Sequence, residues 1–226
     1  MAIGLPRCPS AIIEGLPFTE ELSELLPADL PHRERCIAGC ARHLELIVEA
    51  NQSFNLTRII SPREAAIKHV LDSLLPWRLF AGAGRVADAG TGAGYPGIPL
   101  AFILPETHFV LLESTQKKAR FVETAVTELG LTNVEVHPVR AEDWLATNEV
   151  DIVTARAVVP LDRAIPLFLQ ALRKGAKVLL YKGPDVDTEI AAAALEARKR
   201  KVNIELKERH ELPGNLGIRT ILELSV

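Results

Sequence analysis

The sequence predicts a doubly wound α/β fold, in which a seven-stranded, mostly parallel sheet follows an N-terminal helical extension. Downstream of Gly84, short apolar runs alternate with amphipathic stretches, and this alternation is typical of βαβ units. Two candidate strands near the end of the chain are separated only by a short segment containing Pro213-Gly214-Asn215, which favours an antiparallel pair at one sheet edge. The predicted strands are 85–89, 109–112, 134–137, 151–154, 177–181, 202–206 and 218–224.

The first 80 residues carry helical patterns only. Thr19 can cap a short helix through Leu26, and residues 31–49 carry one apolar stripe at a period of 3.6 residues. Ser61-Pro62-Arg63-Glu64 has the form of a capping box, so it predicts a helix that runs into residues 69–74. Further helices are predicted near 99–104, 116–129 and 161–172. We place the boundary between the extension, 1–80, and the sheet domain, 81–226, in the small residues 81–84, and expect one compact unit.

Composition limits the class of protein. The chain has 226 residues, of which 48% are hydrophobic and 24% charged, enough for one sizeable domain with an appendage. No apolar run approaches the roughly 18 residues of a membrane helix, and no signal peptide is expected. Three cysteines without regular spacing argue against a disulfide framework and predict a cytoplasmic protein. The net charge of −3 shows no global basic excess, so any RNA contact must come from local patches.

The strongest motif is a glycine-rich loop between a buried strand and a helix, at residues 86–99. Glycines let the backbone turn sharply and let a ligand approach the main chain closely. Asp88, at the end of the strand, can orient loop amides or a cationic ligand. The loop therefore predicts a cofactor site at the carboxyl edge of the sheet.

Two registers of this loop indicate two cofactor classes. Gly92-x-Gly94-x-x-Gly97 matches the dinucleotide fingerprint, which would make the protein a nicotinamide-dependent oxidoreductase, but it begins four residues after Asp88 and encloses Pro96. The register Asp88-x-Gly90-x-Gly92-x-Gly94 begins at the strand end and looks like the first motif of S-adenosylmethionine methyltransferases. Glu113, at the end of the next strand, can bind ribose hydroxyls in either class.

A second acidic segment, Arg140-Ala141-Glu142-Asp143, follows the third predicted strand. In this fold the loop lies beside the cofactor, where a backbone amide or a carboxylate can meet the edge of an adenine. An ordinary helix N-terminus with acidic residues in its first turn explains the segment equally well.

The residues also disfavour two kinds of methyl transfer. The segment after the fourth strand reads Thr154-Ala155-Arg156-Ala157, which is not the D/N-P-P-Y/F motif common in methylation of exocyclic amino groups. All three cysteines precede residue 41, so none is expected near this edge as a nucleophile for pyrimidine carbon methylation. What remains is an acceptor that is already nucleophilic, such as a ring nitrogen of guanine, for which alignment and electrostatics suffice.

Several segments together resemble one family, the bacterial small-subunit ribosomal RNA guanine methyltransferases known as RsmG or GidB (glucose-inhibited division protein B). The run Gly94-Tyr95-Pro96-Gly97-Ile98-Pro99-Leu100 is highly specific to that family, whereas the preceding glycines are not. The family more often has Ser at Thr91, Leu or Phe at Tyr95 and Asp at Glu113. The segments that carry the resemblance are 54–57, 69–74, 88–100, 112–114, 117–121, 140–142, 154–157 and 182–183.

The resemblance implies methylation of nitrogen N7 of a guanine in 16S rRNA, with S-adenosylmethionine as cofactor and the small ribosomal subunit as partner. No stable protein partner is evident, and we expect a monomer. Arg156 is a candidate for orienting substrate or cofactor, other catalytic residues stay unassigned, and no metal ligand is expected. The residues expected at the cofactor are Asp88, Gly90, Gly92, Gly94, Tyr95, Glu113, Ser114, Ala141, Glu142 and Arg156.

Other polar residues have less specific patterns. His69 and Asp72 can form a substrate-side wall or simply a hydrogen-bonded helix surface, and turn chemistry explains Asn55 and Thr57. Lys117, Lys118 and Arg120 can follow an RNA backbone or form a solvated helix face. The run 198–201 is better explained as a solvated face. A zinc site along one helix is geometrically excluded, so buried cysteines are expected to pack as small hydrophobes. That rejected set is His32, Cys36, Cys40 and His43.

Two further functions stay open at this level. A non-catalytic ribosome-assembly factor would keep the fold and the cofactor without turnover. A methyltransferase for a small molecule or a protein is also compatible, because aromatic residues make up only 5% of the chain and leave few stacking platforms for an unpaired base.

Overall fold

The computed structural model describes residues 18–59, 61–156 and 159–226, and they form one seven-stranded sheet with helices on both faces. The strand order is β3-β2-β1-β4-β5-β7-β6, with β7 antiparallel to both neighbours and the remaining pairs parallel. The predicted fold class and the antiparallel edge pair are therefore confirmed. The strands are β1 (Arg85–Ala89), β2 (His108–Leu112), β3 (Val134–His137), β4 (Ile152–Arg156), β5 (Lys177–Lys182), β6 (Asn203–Glu211) and β7 (Ile218–Ser225).

Helices connect the first six strands, including the three predicted near 99–104, 116–129 and 161–172, and others precede them. None of the described helices is long and apolar enough to cross a membrane. A π-helical segment (Ala66–Leu71) joins α3 to α4, and a 3-10 turn (Trp77–Phe80) leads into β1. The α-helices are α1 (Phe18–Leu25), α2 (Arg33–Asn51), α3 (Pro62–Ala65), α4 (Asp72–Leu74), α5 (Gly97–Ile103), α6 (Gln116–Glu128), α7 (Ala141–Thr147), α8 (Leu161–Arg173) and α9 (Val186–Arg200).

Two predicted helix caps are wrong in detail. Helix α1 begins at Phe18, so Thr19 lies inside its first turn. Helix α3 does begin at Pro62, and the Ser61 carbonyl accepts the first helical hydrogen bond, but the Ser61 side chain caps nothing. The Glu64 carboxylate instead accepts a hydrogen bond from Lys68 Nζ at 2.7 Å, because a charged donor one turn away competes with the backbone amide.

The core has two layers, one on each face of the sheet. Helices α5 and α6 cover one face together with the extension, and α7, α8 and α9 cover the other. Cys36 and Cys40 of α2 are fully buried, so the prediction that they pack as small hydrophobes is confirmed. The extension shares its hydrophobic cluster with β1 and β2, and the domain boundary at residue 80 stays a prediction.

Helices α2 and α5 approach each other so closely that Gly39 has no room for a side chain. A Cβ atom at this position would lie 2.1 Å from Cζ of the buried Phe102. We expect Gly39→Ala to lower the free energy of unfolding by about 1–2 kcal/mol, because overpacking outweighs the gain in helix propensity. Urea denaturation measures this change. Gly183→Ala is the matched control, since a Cβ there meets nothing within 4 Å. Equal stability of the two variants would contradict the close approach.

Candidate cofactor and substrate site

The carboxyl ends of β1, β2 and β3 meet at one edge of the sheet, and a cleft of about 400 Å³ opens there. Four residues predicted from the sequence to contact the cofactor line this cleft, namely Gly90, Ser114, Ala141 and Glu142. The other residues along it are Ala89, Leu112, Val139, Arg140 and Leu167. The residues along it are thus mostly small or apolar, with Arg140 and Glu142 as its charged residues, which suits an adenosine-sized ligand.

Asp88 organises the glycine loop from beneath. Its Oδ2 accepts hydrogen bonds from Thr91 Oγ1 at 2.7 Å and from the Gly97 amide at 2.9 Å. Burial raises the pKa of this fully buried carboxyl group to about 6, although both hydrogen bonds oppose that shift. Among the described residues, Oδ1 has no hydrogen-bond partner. Asp88 therefore fixes the loop and presents one unpaired oxygen.

Glu113 fixes the outer part of the same loop. One of its oxygens accepts the Gly92 amide at 3.1 Å, and the other accepts the Thr115 amide at 2.7 Å. The side chain is largely buried, and each carboxylate oxygen keeps a further lone pair for a ligand hydroxyl. Its expected contact with a ribose stays a prediction.

The two glycine registers differ in which residues reach the cleft. Gly90 lines it, whereas Gly94 and Gly97 are buried against the core. A Cβ at Gly94 would lie 2.5 Å from Ile98, and one at Gly97 would lie 2.2 Å from Leu111. The geometry favours the register that begins at Asp88, because Gly90 belongs to that register alone and is the glycine of the loop that lines the cleft.

Tyr95 is the centre of a buried aromatic stack beneath the loop. Its ring lies 4.7 Å from that of His69, at 8°, and 4.9 Å from that of His43. The guanidinium carbon of Arg156 lies 5.3 Å from the centroid of the Tyr95 ring. This stack links the extension, the glycine loop and the end of β4. The expected contact of Tyr95 with the cofactor stays a prediction.

Arg156, the last residue of β4, lies at a second and larger cleft of about 820 Å³. Its Nη1 donates to the Lys68 carbonyl at 2.7 Å and to Asp72 Oδ2 at 3.2 Å. Arg219 of β7 binds the same carboxylate through Nε at 2.6 Å and Nη2 at 2.9 Å. Sequence reasoning missed Arg219, although a charged residue at the start of an apolar strand was a usable signal.

Other predicted residues are placed as follows. His69 lines the second cleft, and its Nε2 lies 3.3 Å from Thr57 Oγ1, while Asp72 is buried behind the arginines. Helix α6 begins beside the loop after β2, so Lys117, Lys118 and Arg120 lie near the site edge. The basic run 198–201 lies at the C-terminal end of α9, just before β6 begins. It is therefore on the side of the sheet opposite to the carboxyl ends of the parallel strands.

A lysine whose role was not predicted binds residues at and just before the start of α8, directly or through Glu189. Lys182, at the end of β5, donates to the Val159 carbonyl at 2.8 Å and to Glu189 Oε2 at 2.7 Å. Glu189 in turn accepts the Leu161 amide at 3.0 Å. The Lys182–Glu189 pair therefore anchors the start of α8 beside the site.

The sheet order, the antiparallel β7 and the glycine loop at the carboxyl edge together define a methyltransferase of the Rossmann-like class. Comparison with known proteins narrows the class: the family model described as rRNA small subunit methyltransferase G (GidB) matches residues 37–212. The chain belongs to this family.

Individual relatives agree with that assignment. The ribosomal RNA small subunit methyltransferase G of Solibacter usitatus (strain Ellin6076) is 67% identical over 207 residues, covering 92% of this chain and 99% of the relative. The protein of the same name from Carboxydothermus hydrogenoformans is 36% identical, covering 80% and 79% of the two chains. Among solved structures, an O-methyltransferase from Bacillus cereus in complex with SAH shares the fold, with a TM-score of 0.59, 20% identity and coverage of 92% and 96%.

Proposed function

We propose that the protein transfers the methyl group of S-adenosylmethionine to nitrogen N7 of a guanine in 16S rRNA of the small ribosomal subunit. The observation that carries the proposal is the cleft beside Gly90, at the carboxyl edge of the sheet, in a chain of this family. We further propose that the protein acts as a monomer in the cytoplasm. Membership in a family named for small-subunit rRNA supports the small ribosomal subunit as the partner.

The residues around the first cleft fit S-adenosylmethionine. The cleft is open at the Gly90 backbone, Glu142 supplies a carboxylate for polar ligand atoms, and Ser114 adds a hydroxyl. Asp88 and Glu113 keep the loop in shape through the amides of Gly97, Gly92 and Thr115. When bound, S-adenosylmethionine supplies an electrophilic methyl group, and the protein's task is to hold it in line with the acceptor.

The described residues favour an acceptor that needs no protein nucleophile. Cys36 and Cys40 are fully buried in α2 and line neither cleft, and burial raises the pKa of Cys40 well above its ordinary value. The N7 atom of guanine has a free lone pair at neutral pH and needs no general base. Positioning at the second cleft, beside Arg156, is then the main contribution of this chain.

A methylation assay tests this proposal. Purified protein, methyl-labelled S-adenosylmethionine and small ribosomal subunits lacking their native modifications should give label in 16S rRNA, recovered as 7-methylguanine. Label found only in tRNA or protein would contradict the ribosomal substrate. Cofactor binding without any transfer would favour an assembly factor, and binding of a nicotinamide dinucleotide instead would favour an oxidoreductase.

Two glycines with the same backbone constraint provide a matched test of the cofactor cleft. Gly90 and Gly130 both have positive φ, of 72° and 63°, so alanine strains the backbone similarly at both. Only Gly90 lines the cleft. We expect Gly90→Ala to weaken binding of S-adenosylmethionine more than about tenfold, through local strain of about 1–3 kcal/mol, and Gly130→Ala to leave it unchanged. Isothermal titration measures both, and equal losses would contradict the placement.

A further inference from the structure

Asp72 brings together two arginines that are far apart in the sequence. Its carboxylate is fully buried and accepts three hydrogen bonds, two from Arg219 at 2.6 and 2.9 Å and one from Arg156 at 3.2 Å. Arg156 ends β4, and Arg219 is near the start of the antiparallel β7, so both lie at the carboxyl edge of the parallel strands. The Asp72 carboxylate therefore bridges arginines from β4 and β7, the two strands that lie on either side of β5.

The backbone around Asp72 is arranged for this contact. Because the preceding segment is π-helical, the Asp72 amide donates to the Ile67 carbonyl, five residues back. The Lys68 carbonyl, which would accept that amide in an α-helix, accepts Nη1 of Arg156 at 2.7 Å. The Tyr181 hydroxyl on β5 donates to the Ser73 carbonyl at 2.9 Å and seats the helix on the sheet.

The arginine pair has unused donors and faces open space. Among the described residues, Nε and Nη2 of Arg156 and Nη1 of Arg219 have no hydrogen-bond partner. The arginine side chains are 15% and 19% exposed, and both line the second cleft. One carboxylate and two guanidinium groups leave a net positive charge. The remaining residues along the cleft are Ile59, Lys68, His69, Gly183, Pro184, Leu212, Leu216, Gly217 and Ile218.

A cleft with apolar walls and guanidinium donors suits a base taken out of the RNA stack. An extruded base needs flat apolar surfaces and hydrogen-bond donors for its oxygen atoms. For methylation at N7, a donor that binds the neighbouring O6 orients the ring and leaves the N7 lone pair free. The phosphate oxygens of the same nucleotide are acceptors of the same kind for a guanidinium group.

We propose that Arg219 and Arg156 bind an oxygen atom of the nucleotide to be methylated, and that Asp72 is the positioning residue that holds them as a pair. This proposal rests on the proposed function, since it assigns the RNA acceptor to the second cleft. Charge alone does not explain the arrangement, because a buried carboxylate weakens the attraction of the cleft for RNA. The role of Asp72 is to fix the direction of the two guanidinium groups.

The first test replaces Arg219. We expect Arg219→Gln to raise KM for unmodified small subunits roughly ten- to a hundredfold, with the Kd for S-adenosylmethionine unchanged. Arg219→Lys, which keeps the charge but not the planar fork, should recover only part of the loss. Arg78→Gln is the control, because Arg78 lies before β1 at the other sheet edge and pairs with the exposed Asp29. Unchanged KM and kcat in Arg219→Gln would overturn the proposal.

The second test separates positioning from attraction. Asp72→Asn removes one negative charge and so makes the cleft more positive. Simple attraction therefore predicts tighter RNA binding, whereas positioning predicts a lower kcat/KM despite the more positive cleft. If Asp72→Asn does not fold, as shown by loss of a cooperative melting transition, the Arg219 variants still decide. Tighter binding with kcat/KM kept or raised would overturn the role of Asp72.

The slope of binding against salt distinguishes the two oxygen sources. Loss of a phosphate contact reduces the slope by about one, and loss of an O6 contact leaves it unchanged. If the wild-type protein methylates another acceptor and no small-subunit rRNA, the proposed function fails. The arginine pair is then judged by the Kd for unmodified subunits, and equal Kd values for wild type and Arg219→Gln would overturn it.

Discussion

Asp88→Ala is expected to lower the free energy of unfolding by about 2–6 kcal/mol and to abolish tight binding of S-adenosylmethionine. The Thr91 hydroxyl and the Gly97 amide both donate to Asp88 Oδ2 in the interior. Each buried donor left without a partner costs about 1–3 kcal/mol. Gly97 begins α5 and packs closely against Leu111, so this packing opposes a shift of its amide towards another acceptor.

Asp88→Asn separates the hydrogen bonds from the charge. The amide oxygen of asparagine can accept from both Thr91 and Gly97, and a neutral side chain avoids the burial cost that raises the pKa of Asp88 to about 6. We therefore expect Asp88→Asn to destabilise the protein less than Asp88→Ala in urea denaturation at pH 7.5. A cost of about 1–3 kcal/mol is still expected, because the amide nitrogen takes the place of the buried, unpaired Oδ1. Asp162→Ala, on the exposed first turn of α8, is the control and should cost less than about 1 kcal/mol. Equal destabilisation by alanine and asparagine at position 88 would contradict the hydrogen-bond account.

The central strands were predictable because each is buried on both faces and therefore appears as a continuous apolar run. Strand β1 was located to the residue, and β2, β4 and β5 to within two residues at either end. Strand β6 was predicted too short: it continues to Glu211 through mainly polar residues, with a register irregularity between Leu206 and Glu208. An edge strand with one open face needs little apolar sequence, so its end carries a weak signal.

The glycine loop was predictable for a different reason, since its residues are contiguous and their chemistry is local. The contacts of Asp72 were not, because Arg219 is 147 positions away and reaches it only through the antiparallel return of β7. The π-helical segment before Asp72 also has no sequence signature of its own. The only hint was a charged residue within each of two mainly apolar elements, which is compatible with a buried pair but does not identify the partners.

Acid should destabilise the protein through two buried histidines of the aromatic stack. Burial lowers the pKa of His43 to about 4, and burial together with Arg156 lowers that of His69 to about 3. Both pKa values lie below the unfolded value near 6.5, so the unfolded chain takes up protons first. The stabilisation is complete above that value and is lost as pH falls towards 4 and then 3. Between pH 7 and 5, each histidine contributes a loss of about 2 kcal/mol.

Asp88 has the opposite effect on the free energy of unfolding between pH 7 and 5. Its pKa of about 6 lies above the ordinary 3.8, so the folded state takes up a proton between pH 7 and 5 and gains about 1 kcal/mol. The expected net loss in the free energy of unfolding between pH 7 and 5 is therefore about 3 kcal/mol.

The variant His43→Gln tests whether His43 is one of the groups that cause the loss of stability in acid. His43 Nε2 lies 2.9 Å from the Ala93 carbonyl, an acceptor, so this nitrogen carries the proton, and the glutamine amide can donate in its place. Without one of the two titrating groups, the expected loss between pH 7 and 5 falls to about 1 kcal/mol. Urea denaturation at both pH values measures the difference, with His32→Gln at the exposed start of α2 as control. An acid loss as large in His43→Gln as in wild type would mean that His43 is not the group that takes up the proton. The stack would then be a packing feature with no part in the pH dependence of stability.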